Sequence, residues 1–293
     1  MKKHISLYPV QVLLLGLLFS CRAETSKFTS PVVTKITDGY QFVEGPVWVG
    51  DTALLFSDIP ANTVYIWTRE GGARPYMDSS GNSNGLNTDR EGRLILCQHG
   101  LRQVAREEKD GSLTSLASHY QGMRLNSPND LALHSDGSVF FTDPPYGLTN
   151  PDSESELGYS GIFRLSPSGD LQLLDSTLNR PNGIAFSPDE RILYVTDSEA
   201  RRIFTWEMVG DTAIARKKEF AYQEPFGYTD GMKVDEEGYI YSTGPGGVWI
   251  YSPDGTWIQT IEVPGQTTNC AFGEDGNTLF VTSGDAVYTI KNE

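Results

Sequence analysis

Residues 125–147 read LNSPNDLALHSDGSVFFTDPPYG. A polar turn, Ser127-Pro128-Asn129-Asp130, leads into the apolar run Leu131-Ala132-Leu133. Ser135-Asp136-Gly137 is a tight-turn signal, and a second apolar run, Val139-Phe140-Phe141, ends on Thr142-Asp143. Two short strands joined by an Asp-Gly turn predict a β-hairpin. Its open end carries Asn129 on the first strand and Asp143 on the second.

The same pattern recurs along the chain, as VEGPVWVGDTALLFSD (43–58), SNGLNTDREGRLILCQ (83–98), PNGIAFSPDERILYVTD (181–197), TDGMKVDEEGYIYSTG (229–244) and TNCAFGEDGNTLFVTS (268–283). Aligned on Glu44, Asn84, Asn129, Asn182, Asp230 and Asn269, the units start 39 to 53 residues apart. Most continue into a third strand, such as Ile162-Phe163-Arg164-Leu165 or Val248-Trp249-Ile250-Tyr251, then a turn and a fourth. Six units of four short antiparallel strands predict an all-β, six-bladed β-propeller. The chain stops after the third strand of the sixth unit. Residues 28–37, FTSPVVTKIT, precede the first unit and are expected to complete the last blade, which closes the ring and removes free sheet edges.

In such a ring the first strand of each blade lines the central axis, so the six aligned positions meet at one end of one channel. All six are oxygen donors. Two carboxylates and several amides suit a hard cation such as Ca²⁺, whereas zinc more often takes His or Cys, absent from these positions. The bland alternative is that Asn-Gly and Asp-Gly are common turn dipeptides, which could account for Asn84 and Asn269. Glu44 is no turn former, and a buried carboxylate needs a partner. The ends of the second strands, Asp58, Gln98, Asp143, Asp197, Gly244 and Ser283, form a second layer further from the axis, in which Asp58, Asp143 and Asp197 are expected to brace turns. The irregular segment 144–159 is expected to supply a pocket rim through Pro144-Pro145-Tyr146-Gly147, with a solvated acidic tip at 152–156. Tyr222, Phe226 and Tyr228 of the stretch 219–229 either wall the pocket or pack their own loop. His99 is a candidate near the rim, while His119 and His134 are expected on surface loops.

The formal charge of −15 argues against nucleic acid as a partner, since phosphates require a basic face. There is no Gly-x-Ser-x-Gly elbow, which with the all-β pattern excludes an α/β-hydrolase. Lys2 and Lys3 ahead of the apolar run Val10–Phe19 read as an export signal over residues 1–21, too short to span a bilayer. It ends Leu18-Phe19-Ser20-Cys21, similar to a bacterial lipobox, so lipidation of Cys21 and membrane attachment stand beside ordinary cleavage. Residues 22–27 form a tether and 28–293 the propeller, in a protein that is periplasmic or lipid-anchored to the cell envelope. Cys97 and Cys270 occupy different repeat positions and are expected as buried free thiols.

VEGPVW, LNSPNDLALHSDGSVFFTDPPYG, RPNGIAFSPDERILYVTD, TDGMKVDEEGYIYSTG and CQHGLRQVAR together resemble the gluconolactonase branch of the SMP-30/gluconolactonase family. The resemblance covers nearly all of residues 38–290. It implies a six-bladed propeller with one divalent cation in the channel, Ca²⁺ first, with Zn²⁺, Mg²⁺ or Mn²⁺ as alternatives. The family's metal ligands fall on Glu44, Asn182 and Asp230, its substrate-contacting Asn on Asn129, and its proton acceptor on Asp230. A substrate-binding Arg of the animal branch falls on Ser127, with Arg124 close by. The resulting expectation is a lactonase that opens a sugar lactone, a small-molecule substrate contacted by Asn129, Arg124, His99 and Tyr146. A hydrolase of another lactone or an ester at the same site is one alternative. A non-enzymatic ligand- or protein-binding propeller with structural calcium is another, because propellers host many functions. The sequence leaves the oligomeric state open.

Overall fold

The computed structural model describes residues 26–50, 52–223, 227–273 and 275–293. The export signal, Cys21 and Phe226 lie outside the described residues. Six four-stranded antiparallel sheets form the blades. Blade one is Val43–Val49, Ala53–Asp58, Thr63–Thr68 and Gly72–Asp78. Blade two is Ser83–Thr88, Leu94–Gln98, Gln103–Glu107 and Leu113–Ala117. Blade three is Leu131–Leu133, Val139–Asp143, Gly161–Leu165 and Leu171–Asp175. Blade four is Pro181–Phe186, Ile192–Asp197, Arg202–Val209 and Ala213–Tyr222. Blade five is Met232–Val234, Ile240–Gly244, Gly247–Tyr251 and Trp257–Glu262. Blade six joins Thr267–Phe272, Leu279–Ser283 and Ala286–Asn292 to Pro31–Asp38 from the start of the propeller.

That last pairing is antiparallel, from Pro31 opposite Asn292 to Asp38 opposite Ala286, so the segment ahead of the first unit closes the ring as expected. The first strands of neighbouring blades touch one another all the way round. Ser26 and Lys27, assigned above to the tether, are docked. Lys27 Nζ donates to Gly276 O and lies 3.4 Å from the Asp235 carboxylate, and Phe28 packs edge-on against Tyr241.

The apolar core is divided among the blade-to-blade contacts rather than gathered in one centre. Ala132, Phe140 and Ile162 of blade three, for example, pack with Ile184, Leu193, Val195 and Trp206 of blade four. The second strands are covered on both faces by neighbouring blades, which is why Leu94–Gln98, Val139–Asp143 and Leu279–Ser283 are buried at every position. Such strands read as near-continuous apolar runs rather than alternating ones. Cys97 and Cys270 are free and buried. His134 departs from its surface expectation. It is buried, with Nδ1 3.0 Å from Asp136 and Nε2 3.3 Å from Glu190, and so links blade three to blade four.

Candidate active site

Glu44, Asn84, Asn129, Asn182 and Asp230 converge at one end of the channel and line a cavity of about 530 Å³. The sixth aligned residue does not join them. Asn129 N donates to Thr142 O and Asp230 N to Thr243 O, and in each blade the following residue, Asp130 or Gly231, pairs with the same threonine. In blade six it is Asn269 that pairs with Thr282. Asn269 therefore corresponds to Asp130, and Thr268 holds the ring position. A one-residue shift of register reverses the face a strand residue presents. Asn269 accordingly sits one level deeper, donating Nδ2–H to Asp130 Oδ2 at 3.2 Å.

The glycines after the ring residues are requirements of the channel rather than turn residues. A Cβ on Gly45, whose φ is +54°, would lie 2.0 Å from Asn84 O, and one on Gly231 would lie 2.1 Å from Asn269 Cγ. Real Cβ atoms do not approach so closely, and the first position also has a left-handed backbone. Adjacent inner strands are tied directly, with Gly85 N donating to Asn129 O at 2.8 Å and Gly231 N to Thr268 O at 2.7 Å.

Two sets of residues on the second strands fix the ring. The first is the acidic ends expected to brace turns. Asp58 accepts from Gln41 N and Phe42 N, Asp143 from Asn126 N and Ser127 N, and Asp197 from Asn179 N and Arg180 N. Each carboxylate grips the two residues that lie three and two positions before Glu44, Asn129 and Asn182. Sequence reasoning missed the second set, which is the hydroxyl one residue earlier. Ser57 Oγ donates to Asn84 O, Thr142 Oγ1 to Asn182 O, Thr196 Oγ1 to Asp230 O and Thr243 Oγ1 to Thr268 O. Blades one, three, four and five thus each hold the ring residue of the next by its carbonyl. Its signal was present in the recurring Ser-Asp, Thr-Asp and Thr-Gly endings.

The side chains of the ring are aimed inward. Asn84 Nδ2 faces His99 Nε2 at 3.3 Å. Burial pushes the His99 imidazole down to about 4, so it stays neutral and accepts that hydrogen bond. Asn182 Nδ2 donates to Ser198 Oγ at 3.1 Å. With their NH₂ groups held back, the amide oxygens of Asn84 and Asn182, and that of Asn129, are buried without a hydrogen-bond partner among the described residues. Buried carbonyls left unpaired are costly and rare. Burial raises both Glu44 and Asp230 above the usual carboxylate range. Asp130 adds to the effect at Glu44, and Glu44 adds to it at Asp230. Two carboxylates in a dry pocket resist joint ionisation unless a cation enters.

No trio of His, Cys, Asp and Glu gathers around a metal-sized point among the described residues. The donors here are instead two carboxylates and three orphaned amide oxygens, an all-oxygen set that fits a hard divalent cation. Below it, Lys233 Nζ donates to Met232 O and lies 3.5 Å from Asn269 Oδ1. Asp130, Asn269 and Lys233 form a floor that the sequence reading did not assign.

The mouth is formed by loops. Tyr146 lines the cavity, as the rim expectation had it, and its hydroxyl beside Ser198 and Asn182 is pushed up to about 12 by burial. Ser127 holds that loop, donating to Pro144 O at 2.6 Å and accepting from Gly147 N at 2.8 Å. Tyr228 also lines the cavity, whereas Tyr222 packs against the Arg202 guanidinium. Arg124 is not part of the lining. It is half-buried, with its guanidinium on Leu101 O and its backbone N–H on Glu156. The cation that does line the cavity is Arg180.

The family model for the SMP-30/gluconolactonase/LRE-like region matches residues 42–285. A gluconolactonase from Zymomonas mobilis is 37% identical over 303 aligned positions, covering 94% of this chain and 85% of its own length. A pentonolactonase from Haloferax volcanii is 28% identical, covering 86% of this chain and 84% of its own. Among solved structures, a Xanthomonas campestris gluconolactonase superposes with a TM-score of 0.85 at 34% identity, over 90% of each chain. With the propeller and its oxygen-lined channel already in place, the match across almost the whole ring shows that this chain belongs to the SMP-30/gluconolactonase family.

Proposed function

We propose that the protein is a metal-dependent hydrolase that opens a sugar lactone. The observation that carries this reading is the convergence of two carboxylates and three amide oxygens, unpartnered among the described residues, on one cavity. The gluconolactonase and pentonolactonase relatives supply the substrate class. Glu44, Asn182 and Asp230 would hold the cation, with Asn129 beside it; Ca²⁺ fits this all-oxygen set better than Zn²⁺. When bound, the ion supplies Lewis-acid polarisation of the lactone carbonyl.

The remaining steps belong to the chain. Asn129 orients the ring through its amide. Asp230 takes a proton from the water that attacks the acyl carbon. The acyl carbon–ring oxygen bond then breaks, and the ring oxygen leaves with a proton as the hydroxyl of the hydroxy acid. Asp230 is a weak base while it ligates a cation, because the positive charge stabilises its ionised form. Export, with either cleavage or lipidation at Cys21, is supported by the basic and apolar pattern of residues 2–21.

Proton release from glucono-δ-lactone, followed with and without EDTA, tests the reading. Wild type is expected to be active and to lose activity on chelation, recovering with Ca²⁺. Asp230→Ala is expected to lose turnover by about 100-fold or more and to bind Ca²⁺ more weakly. Full activity in that variant with metal still bound would remove Asp230 from the mechanism. No turnover of several sugar lactones by metal-loaded wild type would favour a ligand-binding propeller instead.

A further inference from the structure

We infer that Arg180 is the residue that selects a polyhydroxylated substrate, binding the hydroxyl-bearing part of the molecule away from the reacting acyl carbon. This rests on the lactonase reading above for the placement of the acyl end.

The backbone of Arg180 is fixed from both sides. Its N–H donates to Asp197 Oδ1 at 3.2 Å and its carbonyl accepts from Ser198 N at 3.0 Å. Its guanidinium, by contrast, makes no hydrogen bond or ion pair with the described residues, although Glu199 and Tyr146 line the same cavity. Other arginines are engaged: Arg102 donates to Leu125 O, Arg124 to Leu101 O and Arg202 to Glu219. A rigidly held stem with a free cationic head is a site arranged for a ligand.

Position decides which part of the ligand it reads. Arg180 lies two residues before Asn182, in the bend that enters the strand Pro181–Phe186, and both residues line the same cavity. Asn182 is 5% exposed at the bottom of the cavity, while Arg180 is only half-buried, nearer the mouth. With the acyl carbon among Glu44, Asn182 and Asp230, the guanidinium faces the carbons beyond it. Its five donors and no acceptor match the oxygens of neighbouring hydroxyls.

Position 127, at the entry to neighbouring blade three, cannot supply such a donor. There Gly147 packs onto Ser127 so tightly that a Cβ on the glycine would lie 2.8 Å from Ser127 Cβ. A long side chain at 127 would collide with the loop that carries Tyr146. Blade four therefore provides the cation that blade three has no room for.

The test uses calorimetric binding of D-gluconate and of 5-hydroxypentanoate, which carries the same carboxylate without the intermediate hydroxyls, to Ca²⁺-loaded wild type, Arg180→Gln and Arg180→Lys. Wild type should bind gluconate more tightly. Arg180→Gln should lose about 10-fold or more for gluconate and little for 5-hydroxypentanoate, with Arg180→Lys between. Melting temperature and Ca²⁺ affinity should stay at wild-type values, since the guanidinium has no hydrogen bond or ion pair to lose among the described residues. In turnover, kcat/KM for glucono-δ-lactone should fall through KM, narrowing the preference over δ-valerolactone. Equal losses for both acids would mean that Arg180 reads the carboxylate, and unchanged gluconate binding would mean that it reads nothing; either overturns the inference. Absence of lactone turnover with Arg180-dependent gluconate binding intact would instead overturn the hydrolase reading alone.

Discussion

At the scale of single residues, the site depends on groups whose role is to turn other groups. His99 is an example. Its burial beside Asn84 keeps the ring neutral and leaves the Asn84 oxygen facing the cavity. The depressed value has a consequence for folding. The unfolded chain takes up a proton near the ordinary histidine value of 6.5, whereas the folded ring resists protonation until about pH 4. Its contribution is thus neutral above pH 6.5 and destabilising as pH falls through that window, by on the order of 3 kcal/mol at pH 4. Urea midpoints measured from pH 7 to pH 4 should fall less steeply in His99→Gln than in wild type, because Gln can still accept from Asn84 but does not titrate. Parallel pH profiles for the two proteins would contradict the neutral-acceptor assignment. His99 was legible as a candidate from its place after the second unit. The partnership of Asp130 with Asn269, 139 positions apart, was not, because it depends on a one-residue offset that only the bulged strand pairing of blade six reveals.

At the scale of the element, every blade but the second has a second strand whose end carries a hydroxyl, followed in blades one, three and four by a carboxylate. The carboxylate grips the loop that enters its own innermost strand, and the hydroxyl grips the carbonyl of the next blade's ring residue. Thr196→Val keeps the shape but removes the donor to Asp230 O, bonded at 2.8 Å. Leaving that buried carbonyl without its hydroxyl should cost about 1–3 kcal/mol and weaken Ca²⁺ binding together with it. Equilibrium unfolding and calorimetric Ca²⁺ titration of the variant check both. A stability loss with unchanged Ca²⁺ affinity would make Thr196 a brace for the blade and not for Asp230. The bracing by Asp58, Asp143 and Asp197 could be anticipated from their repeat position. The hydroxyl ladder escaped notice because Ser and Thr are common at strand ends, and Cys97 occupies the corresponding place in blade two.

At the scale of the whole molecule, the ring is held by a pairing between its two ends. Pro31–Asp38 runs antiparallel to Ala286–Asn292, and Val33 and Phe28 join the apolar layer between blades five and six. Removing residues 26–38 should expose the edge of Ala286–Asn292, lower the thermal midpoint by on the order of 10 °C and promote self-association through the freed strand. Thermal melts and light scattering of the truncated chain test this; an unchanged midpoint would mean that five and three-quarter blades close without the strap.

By itself the sequence determined the repeat, the number of blades, the closing strand and four of the cavity's polar groups, Glu44, Asn129, Asn182 and Asp230. Those features are periodic, and periodicity is written in one dimension: an apolar run, a turn and a polar end recur because every blade meets the same neighbours. The tertiary structure alone decided which blade offers Thr268 in place of an asparagine, that His134 is buried between blades, and that Arg124 points away while Arg180 faces the cavity. These are departures from the repeat. Each is set by contacts between residues far apart in the chain, where one offset in pairing, one loop folded over Ser127 or one guanidinium unpaired among the described residues breaks the equivalence of the six blades and makes a symmetric ring into a site.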